Sequence, residues 1–212
     1  MTRNLDFCAI DVETANYWVA SICKIGVARV TEGRVDKQYS TLVDPEEGFN
    51  SFNVRLHGIG PGSVSGAPSF DEVFGELFDL LDGKVLVSHT FFDRNAMNGA
   101  AQRYGLPILP VTWLDSVAIA RRAWPERRGN RGYRLAALAA DLGISFRHHD
   151  ALEDARAAAG VVLYACLETG MDIDDWVREF DRSRARRSRP GEKDVRKASQ
   201  SSTSRPGQVA AD

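Results

Sequence analysis

Three β-favouring segments lie back to back at the start of this chain, before any helical pattern begins. LDFCAIDVET (5–14) is an apolar run that ends in acids, and SICKIGVARVTEGRVDKQYSTLVDP (21–45) reads as two strands. Glu32-Gly33 supplies the turn between those two, and Asp44-Pro45 ends the second. Connections this short join antiparallel neighbours. Afterwards the pattern alternates. SFDEVFGELFDLLDG (69–83) has Phe70, Val73, Phe74, Leu77, Phe78 and Leu81 at helical spacing, a Ser69/Glu72 capping box and Gly83 as a stop. KVLVSH (84–89) is a short buried strand and FDRNAMNGAAQRYG (92–105) a helix. VTWLDSVAIARRAW (111–124) reads as a strand running into a helix. RLAALAADLG (134–143) and the alanine-rich ALEDARAAAGVVLYACLETG (151–170) are helices, and DIDDWVREFDR (172–182) adds a last one. The expected class is α/β: a central mixed five-stranded sheet, antiparallel meander first and parallel strands after, flanked by helices.

With 212 residues and 43% hydrophobic composition, the chain suits one domain plus a tail, divided at 182/183. From Arg182 to Asp212, nine basic residues face three acidic ones, a charge of +6, which leaves −8 on the rest of a chain of net −2. Residues 183–212 are rich in Arg, Ser, Pro and Gly and cannot bury enough to order themselves. This basic tail reads either as a weak nucleic-acid contact or as a solubilising terminus. No apolar run approaches the roughly 18–20 residues of a membrane span, and the acidic MTRNLDFCAIDVE start is unlike a secretory signal. Three cysteines without close spacing, Cys8, Cys23 and Cys166, argue against a disulfide framework or a zinc site and for the cytoplasm.

Acids gather at element ends. Asp11 and Glu13 are two apart on a strand, so they share a face. Side by side they repel, unless a cation sits between them. Asp93 opens a helix just after a buried strand, where an acid also complements the helix dipole. In FRHHDALEDARAAA (146–159), Asp150 is the expected helix cap, with Asp154 one turn inside and His149 just outside. His148 competes with His149 for the proton-transfer role. Four carboxylates and a histidine suit Mg²⁺ or Mn²⁺ rather than zinc. Two such ions clamp an in-line phosphoryl displacement, and a histidine near neutrality deprotonates the water.

AIDVET, LVSHTFFD and HHDALEDA, in this order, resemble the three motifs of the DEDDh family of 3′→5′ exonucleases, which includes the epsilon proofreading subunit of bacterial replicative DNA polymerase. RLHGIGPGSV (55–64) is similar to the family's His-Gly-Ile segment, and the resemblance covers residues 5–170. It implies a ribonuclease-H-like fold and two divalent ions, Mg²⁺ or Mn²⁺. It also implies Asp11, Glu13, Asp93 and Asp154 as metal ligands and His149 as general base. The product is a nucleoside 5′-monophosphate taken from a 3′ end.

Two positions depart from the pattern: Thr14-Ala15-Asn16 stands where the family often has Thr-Thr-Gly, and Thr90 where it usually has Asn. Thr90 still hydrogen-bonds but lacks the amide's paired donor and acceptor. Thr14 and Ala15 are expected to offer backbone N–H groups to the terminal nucleotide. Tyr17 and Trp18 either stack on a base or pack on a neighbouring loop. His57 either lines the site or is structural, and His89 orients the turn before Asp93. RRAWPERRGNRGYR (121–134) is an arginine-rich phosphate contact or a solvated loop. The leading function is a stand-alone exonuclease on single-stranded DNA 3′ ends. The alternatives are the same chemistry on RNA, a polymerase-associated proofreader, and a non-catalytic nucleic-acid-binding protein. A polymerase partner is not indicated, because the tail shows no apolar cluster for a docking helix.

Overall fold

The computed structural model describes residues 3–127 and 132–188. Five strands form one sheet in the order β3-β2-β1-β4-β5. β1 (Phe7–Thr14), β2 (Ile22–Thr31) and β3 (Arg34–Leu42) are the antiparallel meander. β4 (Val85–Ser88) and β5 (Thr112–Asp115) add in parallel on the other side of β1. β1 is therefore central, and its C-terminal end is where the acids sit. The expected mixed five-stranded sheet is present in this form.

Period-two alternation gives β1 two different faces. Cys8, Ile10 and Val12 join β2 residues Ile25 and Val27 in a core with α2 (Phe70–Leu81) and α3 (Phe92–Arg103). The predicted stripe of α2 is buried there at Phe70, Val73, Phe74, Leu77 and Leu81. Its capping box forms, with the Ser69 N–H donating to Glu72 Oε2 at 2.8 Å. The opposite face carries Ala9, Asp11 and Glu13, with Gly26 and Ala28 beside them on β2. Small residues here let α6 (Ala151–Thr169) lie close against the sheet through its own buried alanines, Ala155, Ala158 and Ala159. α4 (Ser116–Ala123) and α5 (Leu135–Leu142) pack against α6.

The closest approach is at Gly26. A Cβ built there would lie 2.3 Å from both Ala151 C and Leu152 N, which are backbone atoms of the first turn of α6. Gly26 pairs with Asp11 across the β1/β2 ladder. The glycine thus sets how near the start of α6, and with it Asp154, can come to Asp11.

Two elements differ from expectation. α1 (Ser51–His57) lies in a stretch read only as a motif. It buries no residue, so it has no apolar stripe to reveal it. Its ends are marked instead, by Asn50 accepting from the Phe52 N–H and by Gly58 in a left-handed conformation. α7 (Ile173–Ser188) runs past the expected boundary at 182/183, so the first residues of the supposed tail are helical. The chain divides into a unit ending at Val177 and a second beginning at Arg178. The expectation for residues 189–212 lies outside the described residues. Among the described residues no helix is long and apolar enough to cross a membrane.

Candidate active site

β1 ends at a cleft of about 620 Å³, lined by Asp11, Glu13, Asp93, Asp154, His148 and His149 among others. Each carboxylate arrives from a different device. Asp11 and Glu13 come from the alternation of β1, whose pairing with β2 shifts register after Glu13. Asp93 comes from the first turn of α3, where its Oδ1 accepts the Val12 N–H at 3.0 Å, tying the helix to the strand. Asp154 comes from the first turn of α6, which starts at Asp150 as expected: the Asp150 side chain accepts from the Glu153 N–H. Asp150 is also held by Lys24 at 2.9 Å and by Arg147 at 2.5 Å. Burial works against ionisation of Asp150, but these donors outweigh it and bring its pKa down to about 2. The Lys24 charge is thereby spent on the cap.

One carboxylate oxygen from each of Asp11, Glu13 and Asp154 lies within 4.8 Å of the others. Asp93 lines the same cleft but stands outside that closest cluster. The acids pay for their closeness. Burial first, then Asp93, Asp154, Glu13 and Asp150, pushes Asp11 well above the usual carboxylate range. Glu13 rises to about 7 through burial, then Asp154 and Asp93, with Lys24 opposing. Asp93 rises to about 7 through burial, with Asp154 adding and its backbone N–H partners opposing. Clustered hard oxygens with unrelieved repulsion are the donor set that a divalent cation fits.

The sign of the pH effect follows. A carboxyl that holds its proton more tightly folded than unfolded stabilises the fold below its unfolded pKa, near 4. That contribution disappears as pH rises through the folded value of about 7. In EDTA the melting temperature is expected to fall between pH 5 and pH 8. Mg²⁺ or Mn²⁺ should then restore about 5 °C or more at pH 8 and much less at pH 5. Thermal melts at the two pH values, with and without metal, check this; a metal effect of equal size at both would contradict it.

The histidines divide. The His149 backbone N–H donates to Asp154 Oδ2 at 2.8 Å, and its ring lines the cleft. Burial, then His148, holds the His149 pKa below its ordinary value, with Asp154 opposing. His148 reaches Asp154 Oδ1 through Nδ1 at 2.8 Å. His89 spends Nδ1 on Ser116 Oγ (2.8 Å) and Nε2 on the Tyr133 carbonyl (3.1 Å), which fixes the turn ahead of Asp93.

A smaller pocket of about 260 Å³ adjoins Glu13 and is lined by Thr14, Tyr17, Phe52, Asn53, Leu56 and His57 among others. Here the substrate-contact expectations are partly corrected. Ala15 is buried and its N–H already donates to the Ser21 carbonyl at 2.7 Å, so it has no donor to offer a nucleotide. Trp18 lines neither cleft and packs under the Arg103 guanidinium, 4.9 Å from its ring centroid. Tyr17 does line the pocket and is 79% exposed. His57 lines it too, with Nε2 at 3.1 Å from the Thr14 carbonyl and Nδ1 accepting the Ile59 N–H at 3.1 Å. Asn53, which the sequence reading missed, donates from Nδ2 to the same Thr14 carbonyl at 2.8 Å. It sits on α1, the helix without a stripe. Of the arginine-rich fragment, Arg121, Tyr133 and Arg134 line the main cleft, and residues 128–131 lie outside the described set.

Thr90 lines the main cleft with φ 87°, a conformation that a β-branched side chain adopts only under strain. Its N–H donates to Asp115 Oδ1 at 3.2 Å, and its carbonyl accepts from Ser88 Oγ. The Thr90 Oγ1 accepts the Phe92 N–H at 3.3 Å, and Asn tolerates this region better while keeping an oxygen for that N–H. Thr90→Asn should therefore raise stability by about 1 kcal/mol, read as a higher denaturation midpoint; a lower midpoint would contradict it.

A mixed sheet in this order, with carboxylates gathered at the end of its central strand, is a ribonuclease-H-like fold with a candidate metal site. The comparisons agree. A family described as exonuclease, of the RNase T type, matches residues 8–162. DNA polymerase III PolC-type of Caldanaerobacter subterraneus subsp. tengcongensis is 28% identical over 162 residues, 74% of this chain and 11% of that protein. The same enzyme type from Clostridium perfringens is 28% identical over 181 residues, 80% of this chain and 12% of that protein. The chain thus spans 11% to 12% of the length of these relatives. Among solved structures, Exonuclease X in complex with 5′ overhanging duplex DNA superposes with a TM-score of 0.63 at 23% identity, covering 81% of this chain and 97% of that one. The nuclease domain of 3′hExo, a DEDDh family member bound to rAMP, gives 0.68 at 19% identity, covering 79% and 94%. The chain belongs to this exonuclease family, and the family implies dependence on divalent metal.

Proposed function

We propose that this chain is a 3′→5′ exonuclease that releases nucleoside 5′-monophosphates from the 3′ ends of single-stranded DNA as a stand-alone enzyme. The observation that carries the reading is the meeting of Asp11, Glu13 and Asp154 within 4.8 Å in a cleft shared with Asp93 and His149. Asp11, Glu13, Asp93 and Asp154 would hold two Mg²⁺ or Mn²⁺ ions, which when bound polarise the scissile phosphate and acidify water. Around them the chain's own groups act. Burial depresses the pKa of His149 and so favours its neutral ring, in which a nitrogen can take the proton of the attacking water. A bond forms from the water oxygen to phosphorus, and the bond from phosphorus to the 3′-oxygen of the preceding nucleotide breaks. Arg121 and Arg134, on the cleft wall, place positive charge where the strand's phosphates enter. Tyr17 and Phe52 give the smaller pocket an aromatic rim for the terminal base.

The region shared with polymerases of the PolC type supports DNA as the substrate. Three free, buried cysteines support a reducing compartment, the cytoplasm. The test is turnover on matched DNA and RNA strands of one sequence. DNA is expected to be degraded about 10-fold faster or more, the scale of a few contacts around the 2′-position. Faster release from RNA would transfer the proposal to oligoribonucleotides, and co-purification of a polymerase with the native protein would overturn the stand-alone role.

A further inference from the structure

Adjacent side chains of an extended strand face opposite ways, yet the two histidines before α6 face the same way. The cause is local. His149 adopts φ 64°, and this left-handed residue turns the chain so that both imidazoles stack, with centroids 3.9 Å apart and planes 23° from parallel. Both also address one carboxylate: His148 through Nδ1 to Asp154 Oδ1, His149 through its backbone N–H to Oδ2. As a result one ligand atom from each of His148, His149 and Asp154 lies within 4.8 Å of the other two. The carboxylate cluster of Asp11, Glu13 and Asp154 meets the same limit, so Asp154 belongs to both sets.

We propose that His148, His149 and Asp154 form a second metal site, selective for Zn²⁺ over Mg²⁺, whose occupation switches the exonuclease off. The binding part stands by itself; the switching part rests on the function proposed above.

Donor chemistry separates the two sets. Imidazole nitrogen suits Zn²⁺, whereas all-carboxylate clusters suit Mg²⁺ and Mn²⁺. Zinc takes four ligands with N and O near 2.0–2.2 Å, and three protein donors leave one position for water. The stacked rings must open for both nitrogens to converge on one ion. The His148 side chain is 46% exposed and, besides His149 and Asp154, meets Phe146 edge-on at 5.6 Å, so its ring is the one that turns. Asp154, at 5%, stays as the fixed anchor. Zinc at this site blocks the reaction twice. The ring nitrogen of His149 gives its lone pair to the ion and cannot accept a proton, and Asp154, shared by the two sets, has an oxygen committed to zinc instead of to the carboxylate cluster. His148 is the residue that converts a lone base into a chelate.

Calorimetric titration of ZnCl₂ into the full, metal-stripped chain tests the site, using wild type, His148→Ala and Asp11→Asn. One tightest Zn²⁺ site per chain is expected, with its affinity lowered about 10-fold or more by His148→Ala and changed only about 3-fold or less by Asp11→Asn. With saturating Mg²⁺, and each variant measured against its own zinc-free rate, the Zn²⁺ concentration that halves nucleotide release should rise by the same factor in His148→Ala. Unchanged zinc affinity in His148→Ala overturns the proposal. So does its loss in Asp11→Asn, which would put the ion among the carboxylates. Should wild type release no nucleotide with Mg²⁺, the functional reading fails, while the calorimetry still decides the zinc site.

Discussion

Asp11→Asn is expected to cut nucleotide release by about 10³-fold or more while making the metal-free protein more stable. Both effects have one origin. Asp11 is half-buried among Asp93, Asp154, Glu13 and Asp150, and its carboxyl is pushed well above the usual range. The amide keeps the shape and removes the charge. Metal loses an anionic oxygen at the centre of the cluster, and the fold loses a repulsion it tolerates only for the sake of the site. At pH 8 in EDTA the variant should gain about 1 kcal/mol, the usual size for relieving a destabilised active site. Denaturation curves and end-labelled degradation assays on the same preparations check the pair. A variant both inactive and less stable would point to misfolding, and a variant with near-normal turnover would remove Asp11 from the site.

Gly26→Ala carries the second large effect, and it acts without touching the chemistry. The new Cβ would meet Ala151 C and Leu152 N at 2.3 Å. Both are backbone atoms of α6 and cannot rotate away, so the start of the helix must lift from the sheet. Overpacking of this kind costs about 1–3 kcal/mol. Asp154 rides on that first turn, and a misplacement of about 1 Å in a catalytic array costs on the order of 10²-fold in rate. We expect a folded protein with a lowered denaturation midpoint, a rate reduced by that factor, and a higher Mg²⁺ concentration for half-maximal rate. Wild-type activity in Gly26→Ala would mean that the contact between β2 and α6 does not set the position of Asp154.

These two positions show what was legible in the sequence. Asp11 and Glu13 could be placed on one face because period two is a property of any strand, and Asp150 could be named as a cap from its place before ALEDA. The meander, the sheet and the stripe of α2 follow from patterns within short windows. Gly26 could not be read this way: its requirement comes from a helix about 125 residues later, and a glycine inside a strand pattern signals only that some backbone comes near. Asn53 escaped for another reason, since α1 buries nothing and leaves no period to find. Ala15 was misjudged because its N–H partner, Ser21, closes a turn whose geometry the residues ANYWVAS do not announce. α7 outran its expected end because arginine is a good helix former even where no apolar stripe continues. The joint orientation of His148 and His149 depends on one left-handed residue, which HHD in a sequence does not reveal.

The central claim is that the cleft at the end of β1 removes nucleotides from a 3′ end with the help of divalent metal. The most direct measurement follows single strands labelled at the 5′ or at the 3′ end, incubated with Mg²⁺, with Mn²⁺ and with EDTA. With the 3′ label, the first product should be a labelled mononucleotide. With the 5′ label, the strand should shorten one nucleotide at a time, and EDTA should stop both. Release that begins from the 5′ end, internal cuts, or degradation that persists in EDTA would contradict the account.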